Sequence, residues 1–353
     1  MTDQTTEVHE ANRELLRPLR AALYDFEPDR VRGALDETLT ADAAVKLAHP
    51  FEDLDGPGGW FEEALAPLHR AFPDLERREF IVMAGDAADD RDAYDLEVPG
   101  AAGVVSELVG CGGYYTGTFT EPFLGIPPTR RPASFRFHEF FRIVDGRVVE
   151  VQGLWDLPEL MMQAGVWPMG PSLGRVWQVP GPATQDGLRS GPRDPERSAS
   201  SVRHVADMLA NMGRHPAEPP EAMQLPRFWH PRFSWYGPAG IGTSRGIDGF
   251  RRHHQIPFLN AMPDRTGYHD GPSWLFGDGD YVGVTGWPNM AMTVSGDGWL
   301  GIAPAGTSIT MRSLDFWRIE DGLIRENWVL VDLLHGWQQL GVDVLARMAE
   351  LAG

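Results

Sequence analysis

Residues 125–166, GIPPTRRPASFRFHEFFRIVDGRVVEVQGLWDLPELMMQAGV, align without gaps with residues 301–342, GIAPAGTSITMRSLDFWRIEDGLIRENWVLVDLLHGWQQLGV. The offset is 176 residues, and 16 of the 42 aligned positions are identical. Average residue usage would give roughly 3 identities by chance. Each stretch has an Asp-Gly pair at its centre, which is the strongest short signal for a β-hairpin turn. We therefore predict that the chain contains two copies of one domain.

The copies are separated by residues 169–200, which are rich in Pro, Gly and Ser and lack hydrophobic periodicity. This composition predicts a linker between a first domain, 1–168, and a second domain, 201–353. In each domain an amphipathic helix and a second helix, which ends at a Pro-Asp pair, precede four β-rich stretches and a short closing helix. Helices followed by a run of antiparallel strands predict an α+β fold.

Composition and charge exclude several classes of protein. The 353 residues include 50 acidic and 31 basic side chains, a net charge of −19, whereas nucleic-acid binders need a basic surface. No apolar run reaches the ~18 residues of a membrane span. The first residues do not resemble a secretory signal, and the single cysteine, Cys111, cannot form an internal disulfide. We expect a cytoplasmic protein that binds neither nucleic acid nor membranes.

The order of short motifs is similar to that of a known family. A Pro-Asp pair, Gly-Ile-x-Pro, the Asp-Gly turn, Glu-x-Trp-x-x-x-Asp (326–332) and Gln-Leu-Gly (339–341) follow one another in the second copy. This order resembles the SnoaL-like polyketide cyclases of the nuclear-transport-factor-2-like superfamily. The first copy departs from it, since Gln152 replaces the tryptophan.

The resemblance implies a specific architecture. Each copy should be a cone-shaped α+β domain in which a curved antiparallel sheet packs on helices. Single domains of this superfamily commonly pair through their sheets, so we expect the fused copies to form an intramolecular pseudo-dimer. A further homo-oligomer is left open. No cofactor is implied.

The resemblance also implies that Asp332, and Asp156 in the first copy, are general acid/base residues. Side chains alternate along a strand, so Glu326, Trp328 and Leu330 share one face, which we interpret as a pocket wall. A carboxylate among tryptophans would lose solvent and its pKa would rise towards neutrality. The alternative is that each aspartate is the N-cap of the closing helix that follows it.

A second acid lies 17 residues earlier in each copy, on the preceding strand: Asp315, and Glu139 in the first copy. Two carboxylates on neighbouring strands can divide acid and base roles when their environments separate their pKa values. The alternative is a cross-strand ion pair of Asp315 with Arg325 or Arg318.

Histidines and tryptophans are concentrated in the second copy. His254 and His269 are candidate donors to a substrate oxygen, and His253 and Asp264 are candidate substrate contacts. A metal site built from these residues is disfavoured, because adjacent histidines on a helix diverge by about 100°. Large aromatics usually form core, yet so many can line a cavity for a ring-shaped ligand. The tryptophans predicted to contact a ligand are Trp287, Trp317, Trp328 and Trp337.

These observations predict a cofactor-free acid/base enzyme of the cyclase, isomerase, lyase or hydratase/hydrolase type. Its substrate would be a small ring-containing or carbonyl-bearing molecule in an aromatic-lined pocket of the second domain. The first domain, with Asp156, Glu139 and Gln152 at the equivalent positions, would be structural. Two alternatives are a non-catalytic module that binds a small ligand and an interaction scaffold whose pockets are filled by side chains.

Overall fold

The computed structural model describes residues 2–87, 106–188, 191, 193–267 and 273–352. The chain forms two α+β domains in tandem, each with one sheet packed on helices, as predicted. None of the helices within these ranges is both long enough and apolar enough to cross a bilayer.

Within the described ranges the first domain contains six strands and five α-helices. Its strands are β1 (Leu39–Leu47), β2 (Glu52–Asp55), β3 (Glu76–Ala87), β4 (Ser106–Thr118), β5 (Pro132–Val144) and β6 (Arg147–Trp155). Its helices are α1 (Thr2–Tyr24), α2 (Pro28–Thr38), α3 (Gly56–Gly59), α4 (Ala66–Ala71) and α5 (Leu157–Gln163). A π-helical segment, Trp60–Leu65, joins α3 to α4.

The second domain repeats this order. Its strands are β7 (Trp229–Tyr236), β8 (Thr243–Arg245), β9 (Thr266–Gly267), β10 (Ser273–Asp278), β11 (Tyr281–Thr293), β12 (Ser308–Glu320) and β13 (Leu323–Val331). Its helices are α6 (Pro195–Gly213), α7 (Leu225–Phe228), α8 (Gly246–Phe250), α9 (Ile256–Ala261), α10 (Leu333–Gln339) and α11 (Val344–Ala352). A 3-10 turn, Pro220–Met223, precedes α7, and a π-helical segment, Arg251–Gln255, joins α8 to α9.

The sheets are mixed, whereas the sequence predicted antiparallel sheets. Their strand orders are β2-β1-β6-β5-β4-β3 and β10-β11-β12-β13-β7-β8, with β9 paired to β11. The pairs β1–β6 and β7–β13 are parallel. The strands β1 and β7 follow the first helices, and only tertiary pairing with the last strand of each domain adds them to the sheet.

Local sequence explains two boundaries. Asp321 and Gly322 have positive φ angles of 52° and 74°, as a two-residue hairpin turn between β12 and β13 requires. Asp194 caps α6 by accepting from the amides of Glu196 and Arg197, so this helix begins at Pro195, inside the predicted linker.

The outer faces of the two sheets pack on each other across a buried apolar interface. Phe140 and Phe316, which are equivalent at the 176-residue offset, stack there with ring centroids 4.8 Å apart. The segment before α6 lies against both domains: Val82 donates to the carbonyl of Gly187, and the indole of Trp328 donates to that of Pro180. The inner face of each sheet packs on the helices of its own domain.

Candidate active site

A cavity of about 570 Å³ lies between the inner face of the second sheet and the helices of that domain. Its walls are mainly apolar, as is usual for small-molecule sites. Helix α6 and strand β9 contribute at one side, and the segment from α8 to α9 at another. The sheet residues that line it are Trp229, Trp235, Val284, Asn289, Met290, Met311, Ser313, Asp315, Trp317, Asn327, Val329 and Val331.

The cavity wall corrects the predicted face of β13. Asn327, Val329 and Val331 line the cavity. Glu326, Trp328 and Leu330 project from the other face of the strand: Trp328 and Leu330 belong to the apolar interface with the first domain, and Glu326 accepts from the amide of Ala183. Both faces of this strand are buried, so hydrophobic alternation did not distinguish them.

Asp315 on β12 is the one predicted acid of the second domain that lines the cavity. Its carboxylate makes no hydrogen bond to any residue within the described ranges, and its Oδ1 atom is buried. Burial raises the pKa of Asp315 well above the usual range, and the charge of Arg136 opposes this only in part. The predicted alternative, an ion pair with Arg325 or Arg318, does not form: those arginines pair with Glu320 and Glu326.

His254 lies on the π-helical segment and also lines the cavity. Its ring stacks on Trp235 with centroids 4.1 Å apart and an interplanar angle of 15°. The Nδ1 atom is buried and lacks a partner among the described residues. Burial and the charge of Arg265 lower the pKa of His254 to about 3, so the imidazole is neutral at physiological pH.

The equivalent acid of the first domain, Glu139, has three hydrogen-bond donors. Arg77 donates to its Oε2 atom at 2.8 Å, and Tyr115 and Trp155 donate to Oε1 at 3.1 and 3.0 Å. Glu139 is fully buried. Its charge is therefore compensated inside a filled core.

The second domain lacks all three donors. Val331 is equivalent to Trp155 at the 176-residue offset. Met290 pairs with Met311 as Tyr115 pairs with Phe135, so Met290 takes the place of Tyr115. Gly267 pairs with Met290 as Arg77 pairs with Tyr115. The substitutions remove the partners of the carboxylate and leave Asp315 facing a cavity.

Asp332 and Asp156 lie outside the cavity, at the domain interface. Asp332 caps α10 by accepting from the amide of His335, as the capping alternative predicted. Its other oxygen accepts from the amide of His49 in the first domain at 3.0 Å. Asp156 likewise accepts from the amide of Ala239 in the second domain at 2.8 Å. Burial raises the pKa of both aspartates, against the opposing charges of Arg312 and Arg136.

The other predicted tryptophans divide between the cavity and the packing around it. Trp317 lines the cavity. Trp287 lies in the domain interface with Arg312 over its ring at 4.7 Å, because the irregular register of β11 turns it outward. Trp337 packs on Trp167 in the core beneath α10. Trp328 belongs to the interface, as described above.

The remaining predicted residues have structural surroundings. His253 is half-buried and does not line the cavity, since the helix turns it away from His254. Asp264 is exposed and accepts from the amide of Thr293, which ties the loop after α9 to β11. Gln152 is buried at the interface and donates to Glu150. His269 lies outside the described residues.

The sequence did not single out Trp229, Trp235, Met290 or Asn327 as cavity residues. A comparison of the two copies by strand register would have identified two of them. It aligns Trp235 with Val45 and Met290 with Tyr115, which are changes of side-chain size at equivalent positions. Among the described residues no group of three or more His, Cys, Asp or Glu side chains has the arrangement of a metal site.

Two mixed sheets packed on helices, one of them enclosing an acid-bearing cavity, define a tandem α+β protein. The chain belongs to the SnoaL-like polyketide cyclase family, whose model matches residues 88–164 and 219–340, more than half of its length. The two matched segments lie in the two domains. No curated protein matches the sequence.

Several solved structures are similar to one half of the chain. IdmH from Streptomyces antibioticus is 21% identical over 44% of this chain and 98% of its own, with a TM-score of 0.33. AclR from Streptomyces galilaeus is 19% identical over 45% of this chain and 84% of its own, with a TM-score of 0.33. TsrD from Streptomyces laurentii is 20% identical over 44% and 95%, with a TM-score of 0.32.

Proposed function

We propose that the second domain is a cofactor-free enzyme that transfers protons to and from a small ring-containing substrate, with Asp315 as the general acid/base. The loss of all three donors around Asp315 carries this proposal. A half-buried carboxylate among mainly apolar walls, with no hydrogen-bond partner among the described residues, disfavours folding when it is charged, so its retention beside an open cavity favours a functional role. In the first domain the equivalent acid, Glu139, is held by Arg77, Tyr115 and Trp155. This domain would serve as a structural partner.

Burial of Asp315 determines the direction of the first proton transfer. Because burial raises its pKa well above the usual range, the carboxyl group keeps its proton to a higher pH than an exposed aspartate does. It can then donate that proton to a carbonyl or alkoxide oxygen, and the resulting carboxylate can accept a proton from carbon. Enolisation of a ketone can follow this sequence, and the enol can then cyclise or isomerise next to the carbonyl.

His254 would contribute a hydrogen bond instead of a proton. Its imidazole is neutral, and stacking on Trp235 between Phe250 and Phe258 fixes the orientation of the ring. A neutral imidazole that bonds the substrate oxygen would stabilise charge developing there without being consumed in the reaction.

A second candidate is a module that binds the ligand without converting it. The mainly apolar walls of the cavity favour this reading, because apolar contact alone can hold a ring. The open cavity disfavours the third candidate, a scaffold with filled pockets, for the second domain.

Deuterium exchange tests the proposal and does not require the product of the reaction to be identified. The full chain would be incubated in D₂O with a panel of cyclic ketones and 1,3-diketones, and exchange next to the carbonyl followed by NMR. We expect Asp315→Asn to lower the exchange rate by about 10²–10⁴-fold, the usual effect of losing a positioned acid/base. Glu139→Gln, the matched change in the first domain, should keep the rate per folded molecule.

Two outcomes would contradict the enzyme proposal. An Asp315→Asn protein that exchanges as fast as the wild type would remove Asp315 from the mechanism. Tight binding of a ketone by both proteins with no exchange in either would favour the binding module.

A further inference from the structure

We infer that Met290, Met311, Ser313 and Val331, here called the ring seat, hold the planar ring of the substrate and determine which rings are accepted. The inference rests on the proposed function in one respect, that the substrate occupies the cavity next to Asp315. Its basis is a comparison of the two domains at equivalent positions.

In the first domain four aromatic side chains fill the space that is open in the second. Tyr115 contacts Phe137 and Trp155 with ring centroids 4.9 and 5.1 Å apart, and Phe135 contacts Trp155 at 5.7 Å. All four are buried in the inner core. The rings therefore form a solid plug between the sheet and the helices.

The register of the strands matches each plug residue to one residue of the ring seat. Tyr115 faces Phe135 across β4 and β5, and Met290 faces Met311 across β11 and β12. Phe137 faces Trp155, and at the equivalent position Ser313 faces Val331. Two cross-strand pairs of aromatic residues have thus become two pairs of smaller or more flexible side chains.

Another strand of the same sheet has changed in the reverse direction. Trp235 stands where the first domain has Val45, since each pairs with the equivalent residue of the last strand. The cavity therefore does not result from smaller side chains at every position of the sheet. Trp235 adds a large flat side chain on β7, whereas the ring seat lacks the four aromatic side chains of the plug.

The plug also indicates how a ring would be oriented. Its two polar members, Tyr115 and Trp155, both donate to Glu139. A ring in the seat would occupy the same space and lie next to Asp315. We expect it to present an O–H or N–H group to an oxygen of that carboxyl group, which can accept a hydrogen bond in either protonation state. The thioethers of Met290 and Met311 can adjust to the face of the ring.

Binding of 1-naphthol and of 1-methoxynaphthalene, which has the same rings but no donor, tests this inference. Affinity would be measured on the full chain by calorimetry and by quenching of tryptophan fluorescence. We expect the wild type to bind 1-naphthol more tightly than its methyl ether. Val331→Trp, which restores one plug residue, should weaken 1-naphthol binding by about tenfold or more. Val331→Ile, a change without an aromatic ring, should keep the affinity within about threefold.

A second variant keeps the inference testable if Val331→Trp does not fold. Met290→Tyr restores a plug residue on β11, which β12 separates from the strand of Val331, and it should weaken binding as Val331→Trp does while thermal unfolding shows an intact domain. Unchanged 1-naphthol affinity in either folded variant would overturn the ring seat, and so would a wild type that binds no 1-naphthol. Equal affinity for the methyl ether would overturn the orientation.

The assay separates this inference from the proposed function. Binding needs no turnover, so the ring seat is tested by the affinity of the wild type, Val331→Trp and Met290→Tyr for 1-naphthol. The enzyme proposal fails if Asp315→Asn keeps its exchange rate. Either result can occur without the other.

Discussion

Asp156 and Asp332 occupy equivalent positions in the two domains, and each accepts a hydrogen bond from a backbone amide of the other domain. The amide donors are those of Ala239 and His49. Each aspartate also lies near an equivalent arginine, with Arg136 Nη2 3.8 Å from Asp156 and Arg312 Nη1 3.5 Å from Asp332. The two contacts are related by the same pseudo-symmetry as the domains, and they place both aspartates in the joint between the domains.

Replacing either aspartate with alanine should therefore affect stability more than turnover. Asp332→Ala and Asp156→Ala each remove an interdomain hydrogen bond, and we expect each to lower the free energy of unfolding by about 1–3 kcal/mol. Urea denaturation of the full chain measures this change. The exchange rate of the folded fraction should stay within a few-fold of the wild type. An exchange rate that falls by about 10²-fold in Asp332→Ala alone, with the fold intact, would show that Asp332 takes part in catalysis.

The pH dependence of the rate should reflect Asp315 and not His254. As a general acid Asp315 must be protonated, so kcat/KM should fall as pH rises through its raised pKa and should be level below it. His254, with a pKa of about 3, should produce no inflection between pH 5 and 8. His254→Asn should lower the rate and keep the shape of the profile. An inflection near pH 6.5 that disappears in this variant would show that His254 titrates during turnover.

Asp315 should also make the fold less stable at high pH. Its folded-state pKa lies above the unfolded value of about 3.9, so between these values the folded chain binds more protons and stability falls as pH rises. Asp315→Asn removes this dependence. The stability of the variant relative to the wild type should be constant below about pH 4 and increase towards pH 8. Urea titrations of both proteins across this pH range measure the difference in their free energies of unfolding. The contributions of the other buried acids are the same in both proteins and cancel. A constant difference at all pH values would contradict the raised pKa.

Glu139→Gln should have the opposite consequence for stability at neutral pH. The change leaves the buried Arg77 guanidinium without one of its two carboxylate partners, Glu139 and Glu79. Breaking a buried ion pair typically costs about 3–5 kcal/mol. Thermal and urea unfolding at pH 7 measure the loss, and Asp315→Asn is the matched control at the equivalent position. Equal stability of Glu139→Gln and the wild type would mean that Glu79 alone compensates Arg77.

The sequence was sufficient to predict the repeat, the α+β class and the hairpin between the last two strands of each domain. These features depend on local signals such as the Asp-Gly turns and the Pro-Asp helix ends. The parallel pairing of β1 with β6 depends on contacts between residues about 100 positions apart, such as Val45 with Val151. No local pattern encodes that pairing, so the mixed character of the sheets appeared only in the structure.

The site was predicted in part. Asp315, Trp317 and His254 line the cavity as expected, whereas Trp328 and Asp332 do not. Alternation along β13 separates its two faces but does not say which face meets the helices. In a tandem pair the outer face is also buried, so Trp328 on the interface and Val329 in the cavity are similarly apolar. Which face of β13 lines the cavity depends on where the neighbouring domain packs. The sequence of the strand alone does not encode that position.

Trp155 and Val331 occupy equivalent positions but differ, which is possible only because the two domains are parts of one chain. In a dimer of identical chains, a mutation that fills one cavity fills the other, and every gain in packing is also a lost site. A fused pair escapes this constraint, since each half mutates independently under a shared interface. One half can become a rigid support with a solid interior. Its surplus stability can offset the cost of the half-buried carboxylate of the other half, which has no hydrogen-bond partner among the described residues.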